Sequence, residues 1–240
     1  MARLLDWPRG LGVSDFQWLS GPRAINATTT ETVQGVTQTV ASPFGAWSFQ
    51  VTFPPLWGAR SRRHRGWIGA LQGGANATRF PFIDGDRMLP AEAGVNIPRN
   101  DQESLASWEN GRRWSNGRLW KGQYPLVPVT AAADLGGSQI SLADAFWGRR
   151  LDIGDFVGFL PFHFGLYQIT EVIVPGTYRI WPTLRAALTT DSFATLKPVM
   201  AVRLMGEGAA QVQRDVQAAQ NMTASFIEIM DYDVRDYFAE

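Results

Sequence analysis

The strongest alternation in the chain is AWSFQVTF. Trp47, Phe49, Val51 and Phe53 fall on one side of an extended segment, and Ser48, Gln50 and Thr52 fall on the other. A period of two with one apolar side predicts an antiparallel strand laid on a core. Pro54-Pro55 ends it. The next apolar positions, Trp67, Ile68 and Leu71 with His64 one turn earlier, recur at helical spacing and predict a helix within Trp57–Gln72. Arg60, Arg62, Arg63 and Arg65 fall mostly on its other side, and Gly73-Gly74 stops it. Gly58, Gly66 and Gly69 each weaken that helix by about 1 kcal/mol relative to alanine.

Shorter patterns surround these two. Phe16–Leu19 and Gly35–Ser42 (GVTQTVAS) predict strands, and Thr78–Ile83 (TRFPFI) predicts a strand whose proline puts it at an edge or makes it irregular. From Asp84 to about Tyr124 the periodicity breaks into turn residues, scattered charges and tryptophans. Connections of that length usually serve a function or make contacts. Beyond Pro128, the segments Asp152–Phe159, Leu166–Val174, Tyr178–Trp181 and Pro198–Met205 predict a four-stranded meander of the kind that closes into a small barrel. Pro182–Leu188 predicts one helical turn. The alanine- and glutamine-rich run from Gly206 to Thr223 predicts a linker or weak helix, and Phe226–Met230 (FIEIM) a last strand.

The first and last segments each hold strands short of neighbours, so pairing them makes one sheet. The expected fold is mainly β. Residues 1–85 with 212–240 form an antiparallel sheet or barrel domain with one short helix, completed by the C-terminal strand. Residues 86–127 form a long Trp-rich loop. Residues 128–211 form an inserted, small β-barrel-like domain.

Composition agrees and narrows the function. Hydrophobic residues make up 45% and charged residues 18%, which is globular. Ten tryptophans, 24 glycines and 14 prolines suit many short strands and tight turns more than a helical bundle. Basic and acidic residues balance at 22 each, which argues against a general nucleic-acid binder or a polybasic membrane protein. The absence of cysteine excludes disulfides, thiolate metal sites and cysteine catalysis. The start, MARLLDWPRGLGVSDF, lacks the pattern of a signal peptide, and no window approaches the roughly 20 apolar residues of a membrane helix. The sequons at Asn26, Asn76 and Asn221 carry no weight without a secretion signal.

No enzyme motif emerges. The two histidines are His64 and His163, the latter among aromatics in FLPFHFGLY, where a packed or rim role is expected. There is no G-x-S-x-G, HExxH or P-loop, and GALQGGAN does not follow a strand as a phosphate loop must. Asp231, Asp233 and Asp236 are carboxylates that a divalent cation accepts, but they lack the spacing of a Ca²⁺ loop and Arg235 sits among them; a solvated tail is expected. Glu92, Glu103 and Glu109 suggest paired glycosidase carboxylates only by composition. The expectation is no catalytic residue, no metal and no cofactor. The arginine cluster is read first as a solvated helix face, then as a contact with an acidic face of a neighbouring subunit, and third as a DNA contact, disfavoured because only one short segment is basic and no stacking aromatics are interleaved within it.

WENGRRWSNGRLW, inside the long loop, sets Trp108, Trp114 and Trp120 six residues apart, with an Asn-Gly pair after each of the first two. Asn-Gly favours turns with positive φ. Three readings stand: packing on the domain beneath, contact with another subunit, or a sugar-binding row of indoles.

The order of several short motifs resembles a family of tail-tip proteins of long-tailed bacteriophages and prophages. The residues are Gln38-Thr39-Val40, then Pro43, Gly45 and Trp47, then Pro54-Pro55-Leu56, then a helix closing at Leu71 and Gly73. Asp6-Trp7-Pro8, Trp18, the Gly154-Asp155 turn, Trp181-Pro182-Thr183-Leu184 and Arg203-Leu204 also fit. The resemblance implies a non-enzymatic virion component, similar to a distal tail protein, made in the bacterial host cytoplasm. It implies a ring of copies joining the tail tube to the receptor-binding tip, with tube, tip-hub or fibre proteins as further partners. No membrane and no sequence-specific nucleic acid are expected. A closed ring uses heterologous contacts, so each chain needs two complementary surfaces. Arg60, Arg62, Arg63 and Arg65 on one side, and Asp231, Asp233 and Asp236 on the other, are candidates. The alternative is a carbohydrate-binding module recognising host-surface glycan through the Trp108/Trp114/Trp120 loop, and after it an enzyme acting on cell-wall glycan.

Overall fold

The computed structural model describes residues 2–20, 28–31, 37–40, 45–82, 85–86, 92, 126–143, 150–161, 163–214 and 219–230. The fold is mainly β, with one α-helix among the described residues. The chain forms two compact units, Met1–Phe82 with Val199–Glu240, and Ile83–Pro198.

The first unit contains β1 (Leu4–Asp6), β2 (Asp15–Ser20), β3 (Thr28–Glu31), β4 (Thr37–Val40), β5 (Ser48–Phe53), α1 (Gly58–Leu71) and β6 (Ala77–Pro81). After the second unit it resumes with β13 (Val199–Leu204), β14 (Ala210–Arg214) and β15 (Ala219–Glu228). Its sheet runs β1-β6-β13-β15-β5-β2, with β14 also on β15. Among its described strands only the β1–β6 pair is parallel. β15 joins the two ends of the chain, as expected from FIEIM: Phe226 lies opposite Phe49 on one side and opposite Leu204 on the other.

The alternation of AWSFQVTF is realised directly. Trp47, Phe49, Val51 and Phe53 are buried, and Gln50 and Thr52 are partly exposed; Ser48, expected on the polar side, is buried as well. Above that face an aromatic cluster centres on Trp7, whose ring meets Trp67 at 4.7 Å, Phe80 at 5.0 Å and Phe53 at 5.9 Å. α1 closes the cluster with His64, Trp67 and Leu71, its three buried residues. The helix ends at Gln72, which takes the left-handed conformation at φ 47°. Gly74 follows at φ +105°, where a Cβ would stand 2.5 Å from the Leu204 carbonyl oxygen, so only glycine fits. Asn76 ties this corner together: its Oδ1 accepts from the Arg3 N–H at 2.9 Å and its Nδ2 donates to the Ala70 carbonyl at 2.6 Å. A residue in that role is not a glycan acceptor.

Gly66 and Gly69, by contrast, are exposed, and a Cβ on either meets nothing within 4 Å. Gly66→Ala and Gly69→Ala are each expected to raise monomer stability by about 1 kcal/mol, measured as an increased urea midpoint at unchanged slope. A lowered midpoint would show that the helix needs glycine there for its own fold.

The second unit contains β7 (Val127–Ala131), β8 (Gln139–Leu142), β9 (Phe156–Leu160), β10 (Tyr167–Val174), β11 (Thr177–Trp181) and β12 (Phe193–Thr195). These six pair antiparallel in the order β10-β11-β8-β7-β12-β9, and β9 pairs back to β10, closing a small barrel. Its interior is filled by Val127, Val129, Ile140, Val157, Phe159, Tyr167, Ile169, Tyr178 and Ile180 with neighbouring leucines. At Gly158 a Cβ would come within 2.7 Å of Pro198, so the strand needs a residue without a side chain there.

Four local expectations fail. Pro198–Met205 was expected in the barrel, but β13 lies between β6 and β15 in the first unit's sheet, so that unit resumes at Val199 and not after residue 211. β6 is interior and not an edge; Pro81 is its final residue, where little pairing remains to be lost. Pro182–Leu188 forms bends and a bridge from Leu188 to Ala133 instead of a helical turn. The Gly206–Thr223 run is a short 3₁₀ turn, Glu207–Ala209, followed by β14 and the first half of β15. There, cross-strand pairing overrides the low strand preference of alanine and glutamine. Of residues 86–127, expected as a long Trp-rich loop, only 86, 92, 126 and 127 are described, and Val127 already belongs to β7.

Candidate functional site

α1 buries only one narrow stripe, so the arginine-rich segment around it stays at the surface. With His64, Trp67 and Leu71 facing inward, Arg60, Arg62, Arg63 and Arg65 are all exposed. Arg63 donates through Nη1 to the Arg9 carbonyl, which pins the Arg9-Gly10 turn to the helix. Arg60, Arg62 and Arg65 form no ion pair with a described residue.

This helix is poorly served by its own sequence. Trp57, at its N-cap, makes no side-chain capping bond, and the first turn holds no acidic residue. Cations gathered in the N-terminal half oppose the positive end of the helix dipole. Exposed Gly66 and Gly69 lower its propensity further. Local rules broken together on one exposed element point to a role outside the monomer's stability.

The other expected site residues fare differently. Asp231, Asp233 and Asp236, proposed to complement the arginines, lie outside the described residues, as do Trp108, Trp114 and Trp120 and the loop carboxylates Glu103 and Glu109. Glu92 is exposed. Among the described residues no group of three His, Asp or Glu side chains is placed to hold a metal ion, and no helix is long and apolar enough to cross a membrane.

His163 is packed, as its aromatic surroundings suggested. It lies against Phe159 and Tyr167, and its Nε2 is hydrogen-bonded to the Tyr167 hydroxyl. That hydroxyl also accepts from the Arg185 backbone N–H at 2.9 Å. Its own hydrogen is then free to point at Nε2, which requires a neutral imidazole. Burial, and secondarily the nearby Arg185 charge, lower the His163 pKa to about 4, consistent with that tautomer. These two bonds link His163, Tyr167 and the Arg185 backbone in a small buried polar network at the edge of the barrel core.

Two further charged groups are buried. Arg185 is 5% exposed and Glu228 is 4% exposed. The Glu228 carboxylate accepts from the Trp47 N–H at 3.0 Å, while its own N–H donates to the Trp47 carbonyl at 2.8 Å. Glu228 shares the Phe226 side of FIEIM by simple alternation, which is the signal that marks it as inward-facing. Nothing comparable marks Arg185.

No protein-family model matches this chain, and no curated protein matches its sequence.

Proposed function

We propose that this chain is a structural, non-enzymatic component of a phage tail tip that assembles as a closed ring of its own copies between the tail tube and the receptor-binding apparatus. The observation that carries the reading is α1, whose exposed arginines, missing cap and surface glycines give the monomer little. Such a surface gains its value when an acidic face of a neighbouring copy meets it, because complementary charge steers and orients association. The ribbon β3–β4 adds support. It pairs with no other strand among the described residues, and an isolated two-stranded ribbon is marginal in water, so it too gains from a neighbour. The ordered motifs that resemble tail-tip proteins supply the biological setting.

The test is to replace Arg60, Arg62 and Arg65 by glutamate, leaving Arg63 on its carbonyl partner. Exposed charges contribute under about 1 kcal/mol to monomer stability, and acids suit a helix N-terminus. The triple variant is therefore expected to melt at or slightly above the wild-type temperature and to lose assembly in sedimentation. Unchanged assembly would reduce the helix to a solvated face.

A further inference from the structure

In the second unit the ring of pairings leaves one stretch uncovered. β10 pairs with β9 only at Tyr167 and Gln168, and Ile169 exchanges backbone bonds with Gly154 and Asp155. Beyond this, Thr170–Val174 runs on as one arm of the β10–β11 hairpin. It is paired to β11 on one side and to no described residue on the other. Burial changes at the same point: Tyr167 and Ile169 are fully inside, whereas every residue from Thr170 to Val174 is exposed. Three of the five are β-branched and apolar, with Val172 at 37%, Ile173 at 37% and Val174 at 53% exposure, and Ile153 of the adjoining turn is 66% exposed.

An open, apolar edge strand is a template for pairing with another chain, and proteins that stay monomeric commonly blunt it with charge or proline. Here the single charge, Glu171, is neutralised by Arg179 across the hairpin at 2.6 Å. Beside the edge lies a depression of about 400 Å³, lined by Arg150, Leu151, Asp152, Val172, Pro175 and Tyr178. Its charged lining residues carry both signs.

We propose that the Thr170–Val174 edge is a homotypic interface, at which a second copy of this chain adds the same edge antiparallel about a two-fold axis near Val172. Identical edges are self-complementary in that arrangement. In the fully overlapped register, Val172 faces its own equivalent, Glu171 faces Ile173 and Thr170 faces Val174. No like charges oppose each other, and apolar β-branched side chains meet across the pair. The charges beside the edge are mixed, Arg150 among Asp152 and Asp155 and Arg179 on Glu171, so no block of one sign faces an identical copy. Five residues a side is far short of the roughly 20–30 of a stable interface. Two register irregularities, between Ile169 and Glu171 and between Val172 and Val174, limit the added strand to a short one. The contact is therefore weak and reversible. It is independent of the arginine surface of α1.

The chain contains no cysteine, so a single introduced thiol reports the contact without background. Val172→Cys is expected to form a disulfide-linked dimer under mild oxidation. The rate should be at least about tenfold above that of Leu135→Cys, a thiol at a 65% exposed site of the same unit. Adding Ile173→Lys should return the rate to the control. The dimer should persist when Arg60, Arg62 and Arg65 are replaced by glutamate, which separates this interface from the ring contact. Equal rates for Val172→Cys and Leu135→Cys, in proteins with wild-type melting temperatures, would overturn the proposal and leave the ring reading untouched.

Discussion

A chain lacking residues 224–240 is expected to yield no soluble folded protein. The deletion removes the half of β15 that pairs with β13 and most of the stretch that pairs with β5, so the β1-β6-β13 and β5-β2 halves of the sheet lose their link. It also removes Phe226, fully buried against Phe49, Trp67 and Trp7, and leaves the Trp47 N–H without the Glu228 carboxylate. Truncating one buried phenylalanine to alanine costs about 3–5 kcal/mol, against a total stability of roughly 5–15 kcal/mol for a domain. Phe226→Ala alone is therefore expected to survive as a destabilised protein, whereas the deletion is not. Soluble yield and circular dichroism of the two variants check this. A truncated chain that melts like the full one contradicts the closure of the sheet by the C-terminal strand.

The second large effect is acid destabilisation through His163. Its pKa is about 4 in the folded protein, against an ordinary 6.5. Between those values the unfolded chain binds a proton that the folded chain refuses. Stability is complete above about pH 6.5, falls as the pH drops toward 4, and levels off below 4. The full loss is about 3 kcal/mol, since one pKa unit corresponds to 1.36 kcal/mol. His64, also lowered by burial, acts in the same direction. Urea unfolding at pH 7, 5 and 4 should show this decline in the wild type. It should be much reduced in His163→Gln, whose amide still accepts from Tyr167 but does not titrate. Equal declines in both proteins would mean that His163 is not the sensor.

The elements legible in the sequence were those whose burial is set locally. β5 and α1 show their inward faces through periods of two and 3.6, and both fold as their patterns require. β15 was recognisable at Phe226 because an isolated apolar run needs a partner. The sheet to which β13 belongs is not legible, because Val-Met-Ala-Val-Arg-Leu suits the interior of either sheet and periodicity does not identify the neighbouring strand. β14 and the start of β15 were missed because alanine and glutamine carry little strand preference and owe their conformation to pairing. β1 is only three residues long and parallel to β6, too short to show a period. The arginines of α1 are legible as a group because four fall within six residues of one helix; spacing sets Arg62 and Arg65 opposite Trp67, whereas Arg60 and Arg63 flank its side seven and four residues earlier. Arg185 was not, since burial of a charged side chain is decided by distant parts of the chain.

Ring closure between copies is proposed to run through the exposed arginines of α1. Native mass measurement of the purified protein across a range of concentrations tests it most directly. One dominant oligomer of fixed whole-number stoichiometry is expected, lost when Arg60, Arg62 and Arg65 become glutamate and leaving monomer in equilibrium with at most the weak edge-strand dimer. A protein that stays monomeric at every concentration, or an oligomer whose stoichiometry is unchanged by those three substitutions, contradicts it.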